Sequence, residues 1–277
     1  MNLLTIDVED WFHTSALESY ISREQWDAQE SRIERNLIQL LDLLHQREIK
    51  ATFFILGWVA ARYPQLVMEI AAAGHEIASH GWRHQLIYHL DPTTFRDYTR
   101  RAKQLLEDIT GQEVLGYRAT SFSVVKKTLW ALDIIKEAGF RYDSSIFPIR
   151  HHDLYGMADV PRFPFRHDNG LLEIPPSTVT VGGKNIPFGG GGYFRLYPYP
   201  LTKAMIKAVN RQGYPAVIYL HPWELDPECP RLKGLDRRTG FRQYVNLHKT
   251  AGRLERLLAD FQFGTMAAYI ADNFGTG

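Results

Sequence analysis

His80 and His84, four residues apart in the segment SHGWRH, are the first residues in this sequence with an evident chemical use. On a helical turn that spacing turns both imidazoles to one side, where they can clamp a single cation. In a chain with 11 histidines the pair alone is a weak sign. An oxygen donor would complete the set. Two imidazoles and one carboxylate leave coordination positions open, as catalytic rather than structural zinc centres do. Asp7, Glu9 and Asp10 are the donors on offer, directly after the apolar run of residues 3–6.

These groups need a scaffold that brings distant segments together. Residues 3–6, 51–56, 76–79, 114–117, 140–143, 172–174, 216–220 and 264–269 read as short strands, apolar and β-branched or aromatic. Helical spacing or punctuation marks residues 34–48, 58–73, 91–109, 125–138 and 247–261, with Gly74, Gly111 and Gly139 as stops and Asp91–Pro92 as a start. Strand and helix alternate along the whole length, which predicts an α/β fold: a parallel sheet with helices outside it, closed as a distorted or incomplete (β/α) barrel. Such folds carry function at the C-terminal ends of their strands. Asp7 and Glu9, His80 and His84, Arg118, Asp143 and His221 all fall at those ends.

Composition bounds the rest. A chain of 277 residues, 45% apolar and 23% charged, can bury a large core. One domain is expected over residues 1–277, with a loop-rich insertion at about 144–200, where prolines and glycines break the rhythm. The net charge of +1, with no run of like charges, argues against a nucleic-acid partner. No stretch approaches the roughly 20 apolar residues of a membrane span. The N-terminus lacks a signal-like apolar segment, and the single cysteine, Cys229, fits a reducing compartment, so a cytoplasmic address is expected. Four glycines at 189–192 lack the lysine and hydroxyl of a phosphate loop and read as a mobile flap of the insertion.

Taken in order, five segments resemble the polysaccharide deacetylases of the NodB-homology class, carbohydrate esterase family four. TIDVED is similar to that family's opening aspartate motif, SHGWRH to its S-H-T-x-x-H motif, GYRATSF to its arginine motif, RYDSS to its second aspartate motif and VIYLHPWE to its closing L-x-H motif. The DVEDW and DSSIFP segments most resemble a bacterial subgroup associated with exopolysaccharide assembly.

The resemblance implies a hydrolase that removes N-acetyl groups from amino sugars of a polysaccharide or lipid-linked glycan precursor and releases acetate. A divalent metal, Zn2+ above others, would activate the water. Asp7 would be the general base and His221 the acid that protonates the departing amine, a task suited to an imidazole. Asp143 would orient His221 and Arg118 would pair with Asp7. His80, His84 and one carboxylate would hold the metal. Alternate residues of a strand share a face, which sets Glu9 beside Asp7 and favours it over Asp10. Where the family's arginine motif has proline, this chain has Thr120, which puts the local loop shape in question. Among Trp11, Trp82, Tyr193 and Trp223, the last is the expected sugar contact. Peripheral association with a glycan assembly complex is a further expectation. The rival readings are a metal-independent amide or ureide hydrolase of the allantoinase-like branch and a catalytically silent glycan-binding subunit.

Overall fold

A computed structural model describes residues 1–150 and 155–275; residues 151–154 of the expected insertion lie outside the described residues. Eight strands form a continuous path: β1 (Asn2–Val8), β2 (Thr52–Ile55), β3 (Glu76–Ser79), β4 (Gly116–Tyr117), β5 (Tyr142–Asp143), β6 (Phe165–Arg166), β7 (Leu172–Glu173) and β10 (Val217–Leu220). Their order is β10-β1-β2-β3-β4-β5-β7-β6; every neighbouring pair is parallel except β6–β7, and β11 (Phe263–Gly264) lies parallel to β1. β8 (Thr178–Val181) and β9 (Lys184–Pro187) form a separate hairpin. The sheet curls into an incomplete barrel whose two edges are joined by irregular backbone. Ile174 N donates to Asp143 O at 2.8 Å, Ser177 N to Val217 O at 3.3 Å, and Tyr219 N to Gly189 O at 2.8 Å.

The helices are α1 (Ile33–Gln46), α2 (Gly57–Arg62), α3 (Pro64–Ala72), α4 (Pro92–Thr110), α5 (Trp130–Glu137), α6 (Gly191–Leu196), α7 (Tyr199–Asn210), α8 (Arg237–Tyr244), α9 (Leu247–Asp260) and α10 (Met266–Phe274). The predicted stops and starts act as caps: Asp91 accepts from Thr93 N and Thr94 N, and Gly111 closes α4 at φ 66°. The helix expected over 58–73 is two helices, because Pro64 cannot donate within a continuous one and instead opens α3. The strand expected over 264–269 stops at Gly264; the Thr265 hydroxyl accepts from Ala268 N and starts α10. Residues 144–200 do more than cover one end, since β6 and β7 extend the main sheet.

Every residue of β1 is buried, as a central parallel strand requires. Leu4, Ile6 and Val8 pack into the large core between sheet and helices, whereas Leu3 joins Phe54, Tyr142, Val217 and Met266 inside the barrel. The odd-numbered residues of β1 therefore face inward. Continuing that face gives Thr5, then Asp7, then Glu9 at the rim.

Candidate active site

Glu9 stands just past the end of β1 and His80 directly after β3. Glu9 Oε1 lies 2.8 Å from His80 Nε2 and 2.9 Å from His84 Nε2. Glu9, His80 and His84 are all buried, and their ligand atoms lie within 4.8 Å of one another. The two imidazoles do not converge through a helical turn, as the spacing suggested. They meet across an irregular loop in which Gly81 (φ 74°) and His84 (φ 47°) both take left-handed backbone. Arg23 fastens that loop by donating to Arg83 O at 2.9 Å and His84 O at 3.0 Å.

The donor chemistry of this cluster fits a cation. His80 Nδ1 lies 2.8 Å from Arg118 O, which can only accept, so Nδ1 carries the proton. In the neutral ring, Nε2 then presents a lone pair to the Glu9 carboxylate, a repulsive meeting that a positive ion among the three groups would relieve. With the imidazoles protonated instead, the charge of His84 and the hydrogen bonds then donated by His80 and His84 outweigh the burial of Glu9 and hold its carboxyl well below its ordinary range. Asp10, the alternative donor, is occupied elsewhere. Its Oδ1 accepts from Trp11 N, and its Oδ2 accepts from Ser31 Oγ at 2.7 Å and Arg32 N at 2.9 Å.

Arg118 is completely buried. Its Nη1 donates to Asp7 Oδ1 at 2.6 Å and to Thr5 Oγ1 at 2.8 Å, while Nη2 donates to Ser144 Oγ at 2.9 Å. The guanidinium lies 4.0 Å above the centre of the Phe54 ring. The expected Arg118–Asp7 contact is therefore present. Thr120, standing where proline was expected, starts a short 3-10 turn and donates its hydroxyl to Gln85 O at 3.0 Å, beside His84.

At His221 the geometry departs from expectation. Its Nδ1 lies 3.1 Å from Glu224 Oε2, and its backbone N donates to the same oxygen at 3.0 Å. Glu224, not Asp143, is thus the carboxylate that orients it. Arg195 Nε donates to Glu224 Oε1 at 2.9 Å, and both side chains are almost fully buried. Burial works against charge on His221, but the charge and hydrogen bond of Glu224, then Glu9 and Asp7, outweigh it and raise the imidazole to about 9. Arg195 and His221 in turn keep Glu224 below its ordinary range against its burial. The sequence did carry a signal for this residue: HPWE places proline first and glutamate third in a helical turn, the pattern of a capping box.

The glycine run belongs to the same structure and is not a flap. Gly190 bridges to Tyr219 of β10, and a Cβ on Gly191 would collide with the Glu224 carboxylate. Trp223 is buried with its ring stacked on His221, centroids 5.7 Å apart, so it supports the imidazole instead of offering a face to a sugar. Trp11 is likewise buried, and Trp82 is covered by Arg101 at 3.9 Å.

Asp143 makes different contacts. Its Oδ1 accepts from Ser145 Oγ, whose oxygen accepts from Ala119 N at 2.7 Å. Burial, followed by the charge of neighbouring Glu173 on β7, pushes Asp143 well above the carboxylate range. Burial also pushes Glu173 up, to about 7, although Ile146 N donates to it at 3.0 Å. An acid whose folded pKa exceeds its unfolded value favours the fold fully below the unfolded pKa and loses that contribution as pH rises through the folded one. The contribution of Glu173 to wild-type stability should therefore fall between about pH 4.5 and 7. Glu173→Gln should remove that loss, so its melting temperature should gain on the wild type across this window; parallel melting curves would contradict the assignment.

Asp7, Glu9, His80, His84, Tyr219 and His221 line one cavity of about 200 Å³ at the strand ends. Residues 26–142 match the family model described as "Polysaccharide deacetylase". This segment of the chain is similar to the polysaccharide deacetylase family. That match includes His80, His84 and Arg118; residues 144–271 match a second model, a domain of unknown function, DUF3473, which contributes Glu173, His221 and Glu224. A peptidoglycan deacetylase-like protein of Gibberella zeae is 32% identical over 110 residues, 40% of this chain, and the chain spans 31% of that relative's length. Among solved structures, a putative polysaccharide deacetylase from Mycobacterium smegmatis shares this chain's fold with a TM-score of 0.63 at 21% identity, covering 98% of this chain and 88% of the other. Puue allantoinase shares it with a TM-score of 0.61 at 18% identity, covering 99% and 91%. Among the described residues, no helix is long and apolar enough to cross a membrane.

Proposed function

We propose that this chain is a metal-dependent hydrolase that removes N-acetyl groups from amino sugars of a glycan, polymeric or lipid-linked, and releases acetate. One observation carries the reading: the converging Glu9, His80 and His84 share a single cavity with a carboxylate, Asp7, and an imidazole, His221, that can exchange protons with a substrate. The family match supports the substrate class, and relatives are named as peptidoglycan and chitooligosaccharide deacetylases. We also infer that the two matched segments form one catalytic unit, since each contributes residues to that cavity. Cys229, a buried free thiol, suits a reducing compartment.

Two imidazoles and a carboxylate suit Zn2+, which would supply Lewis-acid polarisation of the acetyl carbonyl and acidify a water. Asp7, oriented by Arg118, takes a proton from the attacking water as the oxygen–carbon bond forms. His221, held by Glu224 with its Nε2 side free, gives a proton to the sugar nitrogen as the carbon–nitrogen bond breaks. Acetate and a free amine leave, and atoms balance with one water consumed.

Acetate release from N-acetylglucosamine oligomers, measured before and after exhaustive chelation, tests the reading. Loss of release on chelation and its return with added Zn2+ are expected. Undiminished release from metal-free protein would instead favour a metal-independent amide or ureide hydrolase, and binding without turnover under every metal would favour a silent glycan-binding subunit.

A further inference from the structure

Residues 231–242, RLKGLDRRTGFR, hold five cations and one acid in a chain whose net charge is only +1, so positive charge is concentrated in α8 and the loop before it. The cations are interleaved with small and apolar residues and do not form a run. Arg231, Lys233, Arg237, Arg238 and Arg242 are all exposed. The acid, Asp236, caps α8 by accepting from Arg238 N at 2.9 Å and Thr239 N at 3.1 Å. Gln243 is buried on the inner side of α8, whereas Arg237, Arg238, Phe241 and Arg242 recur at helical spacing on the outer side. Phe241 is 57% exposed, and Leu196 of α6, which lines the same recess, is 44% exposed. Arg242 lines both that recess and the cavity that holds Glu9, His80 and His84. A basic face with an exposed ring thus forms one rim of the proposed active site.

This face is anchored from behind. Arg195 of α6 donates to the backbone oxygens of Arg242, Gln243 and Val245 at 3.1, 3.1 and 2.9 Å. Tyr244 Oη accepts from Leu232 N at 2.9 Å and donates to Pro230 O at 3.1 Å, which pins the loop of Arg231 and Lys233 beside the helix. Groups already held in place lose little freedom on docking. Rings that enter the boundary between headgroups and acyl chains, flanked by cations that meet lipid phosphates, are the composition of helices that lie on membranes. A soluble acidic polymer would satisfy the cations and leave Phe241 and Leu196 in water. We propose that the outer face of α8 docks on an anionic lipid bilayer and sets the mouth of the active-site cavity at the membrane surface. The docking rests on the deacetylase reading only for its purpose, the presentation of a lipid-linked glycan to Asp7 and His221; the binding stands apart from it.

Sedimentation of the full chain with vesicles of equal parts phosphatidylglycerol and phosphatidylcholine, compared with vesicles of phosphatidylcholine alone, tests the proposal. Partitioning should be at least about tenfold stronger on the anionic vesicles and should weaken as salt is raised. Phe241→Ala should weaken it about tenfold, as should Lys233→Ala combined with Arg237→Ala, while Phe241→Trp should retain it. These side chains are exposed, so the melting temperature should stay in place. Equal binding to both vesicles, or none to the anionic ones, would overturn the docking. Binding that needs the cations but is indifferent to Phe241→Ala would overturn it too, because a site for soluble acidic polymers behaves that way. Docking with every expected dependence, in protein that releases no acetate from any glycan, would keep this proposal and defeat the deacetylase reading.

Discussion

Replacing His80 with alanine is expected to abolish divalent-ion binding at the proposed site and reduce acetate release by about a thousand-fold or more, the scale of losing a group the chemistry requires. His80 is the member of the cation cluster with both ring nitrogens committed: Nε2 to the shared point beside Glu9, and Nδ1 to the Arg118 carbonyl. Its removal leaves one imidazole and one carboxylate, too few to retain the ion against chelation. Elemental analysis of metal per chain, read beside kcat/KM and the melting temperature, checks the prediction. A folded His80→Ala protein with near-normal turnover would reject both the cation site and the reaction built on it.

The second large effect is expected at Glu224. Glu224→Ala should destabilise the fold by about 3–5 kcal/mol, because it leaves the buried guanidinium of Arg195 without its counter-charge. The three backbone oxygens that Arg195 also reaches place the loss toward the lower end. Glu224→Gln keeps the shape and isolates the charge. In the proposed reaction His221 acts as an acid in its protonated form, so activity should decline as pH rises through its pKa, raised to about 9 chiefly by Glu224 against the effect of burial. Neutralising Glu224 lowers that pKa. The alkaline limb of the kcat profile should then move to lower pH in Glu224→Gln, with turnover at the acidic end least affected. An unmoved alkaline limb would mean that another group limits the reaction there.

How much could be read beforehand depended on how local the determining physics is. The choice of Glu9 over Asp10 followed from the two-residue period of a strand, and the inward face Leu3, Thr5, Asp7, Glu9 obeys it. Pairings set by sheet order were not legible. Asp143 acquires Glu173 as a neighbour only because β7 lies beside β5, and β7 sits in a segment whose prolines and glycines disguised it. The convergence of His80 and His84 came from spacing, but its mechanism did not, since left-handed backbone at a histidine leaves no mark in the sequence. Glu224 was legible in principle as the third residue of a capping turn. The resemblance assigns the same duty to Asp143. Gly191 could be understood only once the carboxylate packed against it was known.

Arg118 makes two of the contacts described above with different parts of itself: its carbonyl aligns His80, and its guanidinium aligns Asp7. The pose of the proposed cation ligand and the pose of the proposed base are therefore geared to one residue, and neither can be adjusted by a shift there without disturbing the other. A redesign of this centre for a different acyl group would have to retune the two together or relocate one of them to another strand.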